Sequence, residues 1–137
     1  ANAAMAYQLF QSTLLTPRWQ KLAAAGARVQ RPLWASTSTK DPKFPDTYYI
    51  EALIAPDTVN TIPPETFEAY RDHGHPELRI EQAIADAPAQ LDALAASGIS
   101  LEQVTKELET EGVEKFEAAY TSLLKGVTAK AGALATR

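Results

Sequence analysis

The sequence predicts an α/β protein that is mostly helical and contains two short parallel strands. Its segments alternate as helix, strand, helix, strand and helix up to about residue 73, and the remainder is wholly helical. The two candidate strands do not alternate inward and outward residues, as is typical of parallel strands covered by helices. The composition, 45% hydrophobic and 22% charged, is that of one ordinary folded domain.

Capping and breaking residues set the bounds of the predicted elements. Thr16 before Pro17 restarts the opening helical region, and Gly26 ends it. Asp46 is the predicted cap of the next helix, and Ser100 the predicted cap of the last one. The predicted elements are a helical region at 1–26, a strand at 32–37, a helix at 46–55, a strand at 58–61, and helices at 63–73, 80–97 and 100–131.

Two strands are too few for a stable sheet, because each outer edge leaves backbone N–H and C=O groups unpaired. The sequence also opens at Ala1 with residues typical of a helix interior. Both observations predict that the segment 1–137 completes a larger sheet. Its other strands would come from polypeptide outside this sequence or from another chain.

Charge and composition exclude several classes of function. A formal net charge of −4 argues against nucleic acid as a partner. No apolar run approaches the roughly 20 residues that span a bilayer, so the sequence predicts no membrane segment. With no cysteine, disulfides, thiolate metal sites and cysteine nucleophiles are absent, which fits a cytoplasmic location.

A run of hydroxyl side chains closed by a cation, Ser36 to Lys40, follows the first strand. Ligands of parallel α/β folds bind at the carboxyl ends of strands, and (β/α)8 barrels commonly hold phosphate by the last two strands. Hydroxyls and backbone N–H groups donate to phosphate oxygens, and Lys40 supplies a positive charge. Taken alone, such a run more often serves hydrogen bonding within the loop.

Other polar residues near the strand ends have alternative interpretations. Asn60 and Thr61 end the second strand, where they either contact a sugar or, more commonly, cap the next helix. His73 and His75 are the only histidines and flank a glycine, which indicates a loop rather than a metal site. Lys40 lies in a polar loop and lacks the desolvated pocket that a Schiff-base lysine requires.

Two stretches in combination resemble the bacterial transaldolases of actinobacteria and cyanobacteria. They are RPLWAST at 31–37, followed by Lys40, and DTVNTIP at 57–63. The likeness continues in the opening residues, around the Asp72-His73-Gly74 helix end and in the last helices, so it covers essentially the whole chain. It fits a transaldolase or a transaldolase fused to glucose-6-phosphate isomerase.

The resemblance implies the C-terminal part of a (β/α)8 TIM barrel of the class I aldolase kind. Enzymes of this family move a dihydroxyacetone unit between sugar phosphates of the pentose phosphate pathway. They use a Schiff-base lysine and no metal or organic cofactor. That lysine and its supporting Asp and Glu belong to earlier strands, so the resemblance implies that this chain has no catalytic residue and is inert alone.

The resemblance also assigns the phosphate site. The phosphate-binding serine of the family corresponds to Ser36. The family has an arginine shortly after it, whereas this sequence continues with Thr37, Ser38, Thr39 and Lys40. Either Lys40 replaces the missing charge or Ser38 takes the position of the arginine. The predicted phosphate-binding residues are therefore Ser36, Ser38 and Lys40.

Three functions remain open from the sequence. The first is a transaldolase segment, whose partners are a sugar phosphate and the missing N-terminal part of the barrel or another chain that supplies strands. The second is a non-catalytic barrel remnant that serves as an interaction module for another polypeptide. The third is a helical domain in which the two apparent strands are loops.

Overall fold

A computed structural model describes residues 1–135, so the last two residues of the predicted segment lie outside the described part. The elements are α1 (Asn2–Leu14), α2 (Pro17–Ala24), β1 (Leu33–Trp34), α3 (Tyr48–Ala52), β2 (Val59–Asn60), α4 (Pro64–His73), α5 (Ile80–Ala96) and α6 (Leu101–Ala135). The chain divides into two compact units, Ala1–Asp92 and the part from Ala93 onward. None of the helices in the described residues has the length and apolar character needed to cross a membrane.

The opening helical region, predicted at 1–26, is divided into α1 and α2. Thr16 adopts an extended conformation, with φ −70° and ψ 145°, and its hydroxyl accepts a hydrogen bond from the Trp19 N–H at 3.2 Å. Pro17 then occupies the first turn, where the missing N–H of proline costs nothing. Gly26 follows the end of α2 with a φ of 94°, a left-handed conformation that favours glycine.

The two strands pair in parallel, with Leu33 opposite Val59 and Trp34 opposite Asn60. The prediction of two short parallel strands in a mostly helical α/β chain is confirmed, and their interpretation as loops is wrong. Both strands are shorter than the predicted 32–37 and 58–61. β1 ends early because the chain turns at Ser36, whose φ of 56° is incompatible with an extended strand.

The core of the first unit is formed by α1 and α5 rather than by the sheet. Ala4 and Tyr7 of α1 are buried in one cluster with Ile80 and Ala87 of α5. In contrast, Leu33 of β1 is 55% exposed. Other large hydrophobic side chains of this unit are also exposed: Leu9, Leu15, Leu22, Val29, Phe44, Tyr48, Tyr49, Phe67 and Leu78.

The helix predicted at 46–55 is only the five-residue α3, and Asp46 does not cap it. Thr47 occupies the N-cap position and makes no capping hydrogen bond with its side chain. The Asp46 carboxylate instead lies 2.9 Å from Nε2 of His73, at the end of α4. A long-range partner has therefore replaced the local cap.

The second unit contains the end of α5 and the 35-residue α6. Ser100 precedes α6, and its hydroxyl accepts a hydrogen bond from the Gln103 N–H at 3.2 Å, as the capping pattern predicts. The helix extends beyond the predicted end at 131 to Ala135. Most of its large apolar side chains are exposed, including Phe116 and Tyr120.

Candidate functional site

The candidate site lies where β1 and β2 end side by side. The Val59 N–H donates to the Pro32 carbonyl at 2.9 Å, and the Thr61 N–H donates to the Trp34 carbonyl at 2.9 Å. Because the strands are parallel, their carboxyl ends meet at one edge, which is where ligands bind in folds of this kind. The loop 36–40 and the residues after Asn60 therefore start from the same edge.

Ser36 is exposed at this edge in a left-handed conformation, with a φ of 56°. A serine held in this conformation carries a backbone cost of roughly 1–2 kcal/mol, and such residues cluster at functional sites. Within residues 1–135 the Ser36 hydroxyl takes part in no hydrogen bond. The hydroxyl is thus available to a ligand.

Ser38 and Lys40, the other two predicted phosphate-binding residues, follow in the same loop. Ser38 is half-buried and Lys40 is exposed. Lys40 belongs to none of the ion pairs formed within the described residues. The loop therefore holds a hydroxyl and a cation without an internal partner close to Ser36 in sequence.

Thr37 points inward between these residues and joins the two strand ends. It is only 2% exposed, and its hydroxyl donates to Oδ1 of Asn60 at 2.8 Å. The Thr61 hydroxyl adds a second connection by donating to the Trp34 carbonyl at 3.2 Å. Sequence reasoning missed the role of Thr37, because a run of four hydroxyl residues does not reveal which one faces the neighbouring strand.

Asn60 and Thr61 do not cap the helix that follows them. The N-cap of α4 is Pro63, and no side chain makes a capping hydrogen bond there. The commoner interpretation of these two residues is therefore wrong. Their side chains are instead engaged with Thr37 and Trp34 at the strand ends.

A further chain of contacts ties the loop to the end of α4. The Thr39 hydroxyl donates to the Asp46 carbonyl at 3.2 Å, and the Asp46 carboxylate lies 2.9 Å from His73 Nε2. The hydrogen bond to Asp46, followed by the one to Asp72, raises the pKa of His73, and the same contact lowers the pKa of Asp46. Thus His73 is a structural partner of two carboxylates. The described residues contain no group of three side chains suited to a metal ion.

Glu51 is the centre of a separate polar cluster. Its Oε1 accepts hydrogen bonds from the Thr47 hydroxyl at 2.9 Å and from the His75 N–H at 3.1 Å. Its Oε2 lies 3.1 Å from Nη1 of Arg79. These contacts, led by the N–H of His75, lower the pKa of Glu51. A cavity of about 260 Å³ beside the cluster is lined by Pro45, Tyr48, Glu51, Ala52, Arg79 and Ala83, and so does not include the predicted phosphate residues.

The lysines of this segment, folded as it is here, are not buried as a Schiff-base nucleophile is. Such a lysine needs burial to lower its pKa and keep part of it neutral. All seven are exposed: Lys21, Lys40, Lys43, Lys106, Lys115, Lys125 and Lys130. The site therefore contains hydroxyl, amide and cationic groups, which are the kinds of group that can bind an anion.

Comparison with known proteins gives a consistent result. The family model described as Transaldolase/Fructose-6-phosphate aldolase matches residues 1–127. This chain is similar to the transaldolase of Acidothermus cellulolyticus, at 57% identity over 131 residues that cover 93% of the chain and 35% of the relative. It is also 50% identical to the transaldolase of a Parafrankia species over 137 residues, covering 99% of the chain and 37% of the relative.

A third relative, transaldolase 2 of Streptomyces avermitilis, is 48% identical over 138 residues, which cover 98% of the chain and 37% of the relative. The chain thus spans about a third of the length of the curated relatives that it matches.

Proposed function

The chain belongs to the transaldolase/fructose-6-phosphate aldolase family, and we propose that it supplies the phosphate-binding side of a Schiff-base transferase. In this proposal the complete barrel moves a dihydroxyacetone unit from a ketose phosphate to an aldose phosphate, as in the pentose phosphate pathway. Ser36, Ser38 and Lys40 hold the phosphate group. The remaining strands come from the rest of the barrel or from another chain.

The observation that carries the proposal is the placement of Ser36 at the shared edge of two parallel strands. Ser36 is exposed, its hydroxyl has no hydrogen-bond partner within residues 1–135, and its backbone holds a left-handed conformation. A phosphate needs hydrogen-bond donors and positive charge, which the loop 36–40 contains. With β1 and β2 as the last two strands of the barrel, as this proposal has them, the loop lies where (β/α)8 barrels commonly hold phosphate.

Two features support the need for further strands. Leu33 of β1 is 55% exposed, although strands of parallel sheets are normally buried on both faces. The two-stranded sheet also has two open edges, and their backbone groups are satisfied when neighbouring strands are added. We expect the polypeptide beside this segment to cover the Leu33 side chain and to pair with the backbone groups at the open edges.

The exposure of every lysine supports the proposal that this segment is inert alone. The catalytic lysine then belongs to the part of the barrel that this sequence does not contain. The segment contributes substrate binding, and the reaction itself requires the other strands.

A hybrid enzyme tests this function. In the hybrid, the aligned stretch of this chain replaces the corresponding stretch of the Acidothermus cellulolyticus transaldolase. Borohydride reduction in the presence of fructose 6-phosphate is expected to trap a covalent adduct on the hybrid, at a lysine contributed by the relative, and none on this chain alone. An adduct on any lysine of this chain would show that the catalytic lysine lies in this segment, contrary to the proposal. A hybrid with no transaldolase activity would overturn the proposed function.

A further inference from the structure

The hydrogen bond between Thr37 and Asn60 fixes the direction of an amide group at the candidate site. The Thr37 hydroxyl donates to Asn60 Oδ1 at 2.8 Å, whereas the carbonyl oxygen of Thr61 lies 3.4 Å away. Hydroxyl hydrogen bonds are usually about 2.7–2.8 Å long, so the main acceptor of the Thr37 hydroxyl is Asn60 Oδ1. Thr37 is 2% exposed, so the donor side of this bond is shielded from water.

The consequence is a free donor at the strand end. An asparagine side chain has one acceptor oxygen and an NH2 group with two donors. Thr37 occupies the oxygen of Asn60, and no acceptor within residues 1–135 takes a hydrogen bond from its Nδ2. Asn60 is only half-buried, so its NH2 group is the part of the amide that remains for a ligand.

The free donor lies close to the proposed phosphate residues. Ser36 and Ser38 flank Thr37, so their Cα atoms are each about 3.8 Å from the Thr37 Cα. Thr37 in turn touches Asn60 directly. Ser36 and Ser38 are therefore the chain neighbours of the buried threonine that contacts Asn60.

We propose that Asn60 donates hydrogen bonds to the phosphate oxygens of the sugar phosphate and that Thr37 is the positioning residue that holds its amide in this direction. The inference rests on the proposed function and adds a donor from the second strand to the phosphate site. Phosphate oxygens accept hydrogen bonds, so an amide with NH2 outward attracts them. A reversed amide would present its oxygen and repel them.

Asn60→Asp in the hybrid separates this role from a structural one. Aspartate retains an oxygen for the Thr37 hydroxyl but replaces the outward donor with negative charge. The KM for fructose 6-phosphate and the inhibition constant of inorganic phosphate are expected to rise about 10- to 100-fold, with the effect on KM exceeding that on kcat. Unchanged values would overturn the inference, because a purely structural Asn60 would tolerate this substitution.

Thr37→Val and Thr37→Ser test the positioning role. Valine keeps the shape of threonine without the hydroxyl, so Thr37→Val is expected to raise KM about 10-fold. Serine keeps the hydroxyl donor, so Thr37→Ser is expected to have a KM near the parent value. Equal effects of the two variants would overturn the role of Thr37. Thr58→Val is the matched control, because Thr58 precedes β2 and its hydroxyl donates to the Ala55 carbonyl at 2.8 Å, at the opposite end of the strand from the candidate site.

Binding of inorganic phosphate, measured by 31P NMR, distinguishes this inference from the proposed function. A hybrid without activity that binds phosphate only when Asn60 is present would retain the inference and overturn the function. An active hybrid in which Asn60→Asp leaves phosphate binding unchanged would retain the function and overturn the inference. The same assay covers any variant whose turnover is too low for kinetics.

Discussion

Nε2 of His73 lies 2.9 Å from Oδ1 of Asp46 and so connects the end of α4 to the loop before α3. Asp46 also accepts a hydrogen bond from Thr39 through its carbonyl oxygen, at 3.2 Å. The loop that begins at Ser36 is therefore tied to the helix that follows β2. This relationship predicts a dependence of stability on pH.

The pKa of His73 is raised above 6.5, first by the hydrogen bond to Asp46 and then by that to Asp72. A raised pKa stabilises the fold fully below pH 6.5, and this contribution is lost as the pH rises through the folded-state pKa. The pKa of Asp46 is lowered below 3.8, so its contribution is lost only in acid. Urea unfolding of the hybrid is therefore expected to show a fall in stability above pH 6.5 that His73→Gln removes. If the stability of the hybrid and of its His73→Gln variant depended on pH in the same way, the contact between His73 and Asp46 would be contradicted.

Replacement of Glu51 by Gln is expected to reduce the free energy of unfolding by about 1–3 kcal/mol, because a carboxylate with three hydrogen-bond partners is lost. The pKa of Glu51 is lowered, chiefly by the N–H of His75, so this loss is full above pH 4.5 and shrinks as the pH falls through the folded-state pKa. Urea titration of the parent and the Glu51→Gln variant at several pH values measures this loss in the free energy of unfolding.

Glu77→Gln is the control for Glu51, since Glu77 also pairs with Arg79 but is 69% exposed. An exposed pair contributes about 0–1 kcal/mol, so this variant should unfold nearly as the parent does. Equal losses at the two positions would show that the Glu51 cluster has no special importance.

Ser36→Gly is expected to stabilise the fold while it weakens substrate binding. Glycine accepts the φ of 56° at this position without the steric cost that serine carries, which gives roughly 1 kcal/mol of stability. The hydroxyl that we propose for phosphate is removed in the same step. On the hybrid, the free energy of unfolding in urea and the KM for fructose 6-phosphate should therefore both rise, so that stability improves while binding weakens.

Asp57→Gly provides the comparison for Ser36→Gly, because Asp57 has a φ of 57° and precedes β2 rather than following a strand. It is expected to stabilise the hybrid without any change in KM. A rise in KM in this variant would mean that backbone relaxation, and not loss of the hydroxyl, explains the effect at Ser36.

Sequence reasoning predicted the local structure where a residue interacts with its own helix. Thr16 and Ser100 each accept a hydrogen bond from an N–H three residues later, so the signal and its partner lie within one turn. The prediction for Asp46 was wrong because its carboxylate pairs with His73, 27 residues further along the chain. No local pattern contains that contact.

At the candidate site too, local features could be predicted from the sequence and long-range contacts could not. The hydroxyl run and the strand before it identify the loop that contains Ser36. The inward direction of Thr37 depends on Asn60, 23 residues away, and on the register of the two strands. The left-handed conformation of Ser36 is equally unpredictable, because serine seldom adopts it.

The most direct test of the phosphate-binding claim is the affinity of the hybrid for inorganic phosphate and fructose 6-phosphate before and after Ser36→Ala. Loss of the hydroxyl donor is expected to weaken both about 10-fold. Ser12→Ala is the control, because the Ser12 hydroxyl is exposed on α1 and donates to the Leu9 carbonyl within its own helix. Equal affinities in the parent and the Ser36→Ala hybrid would contradict the account.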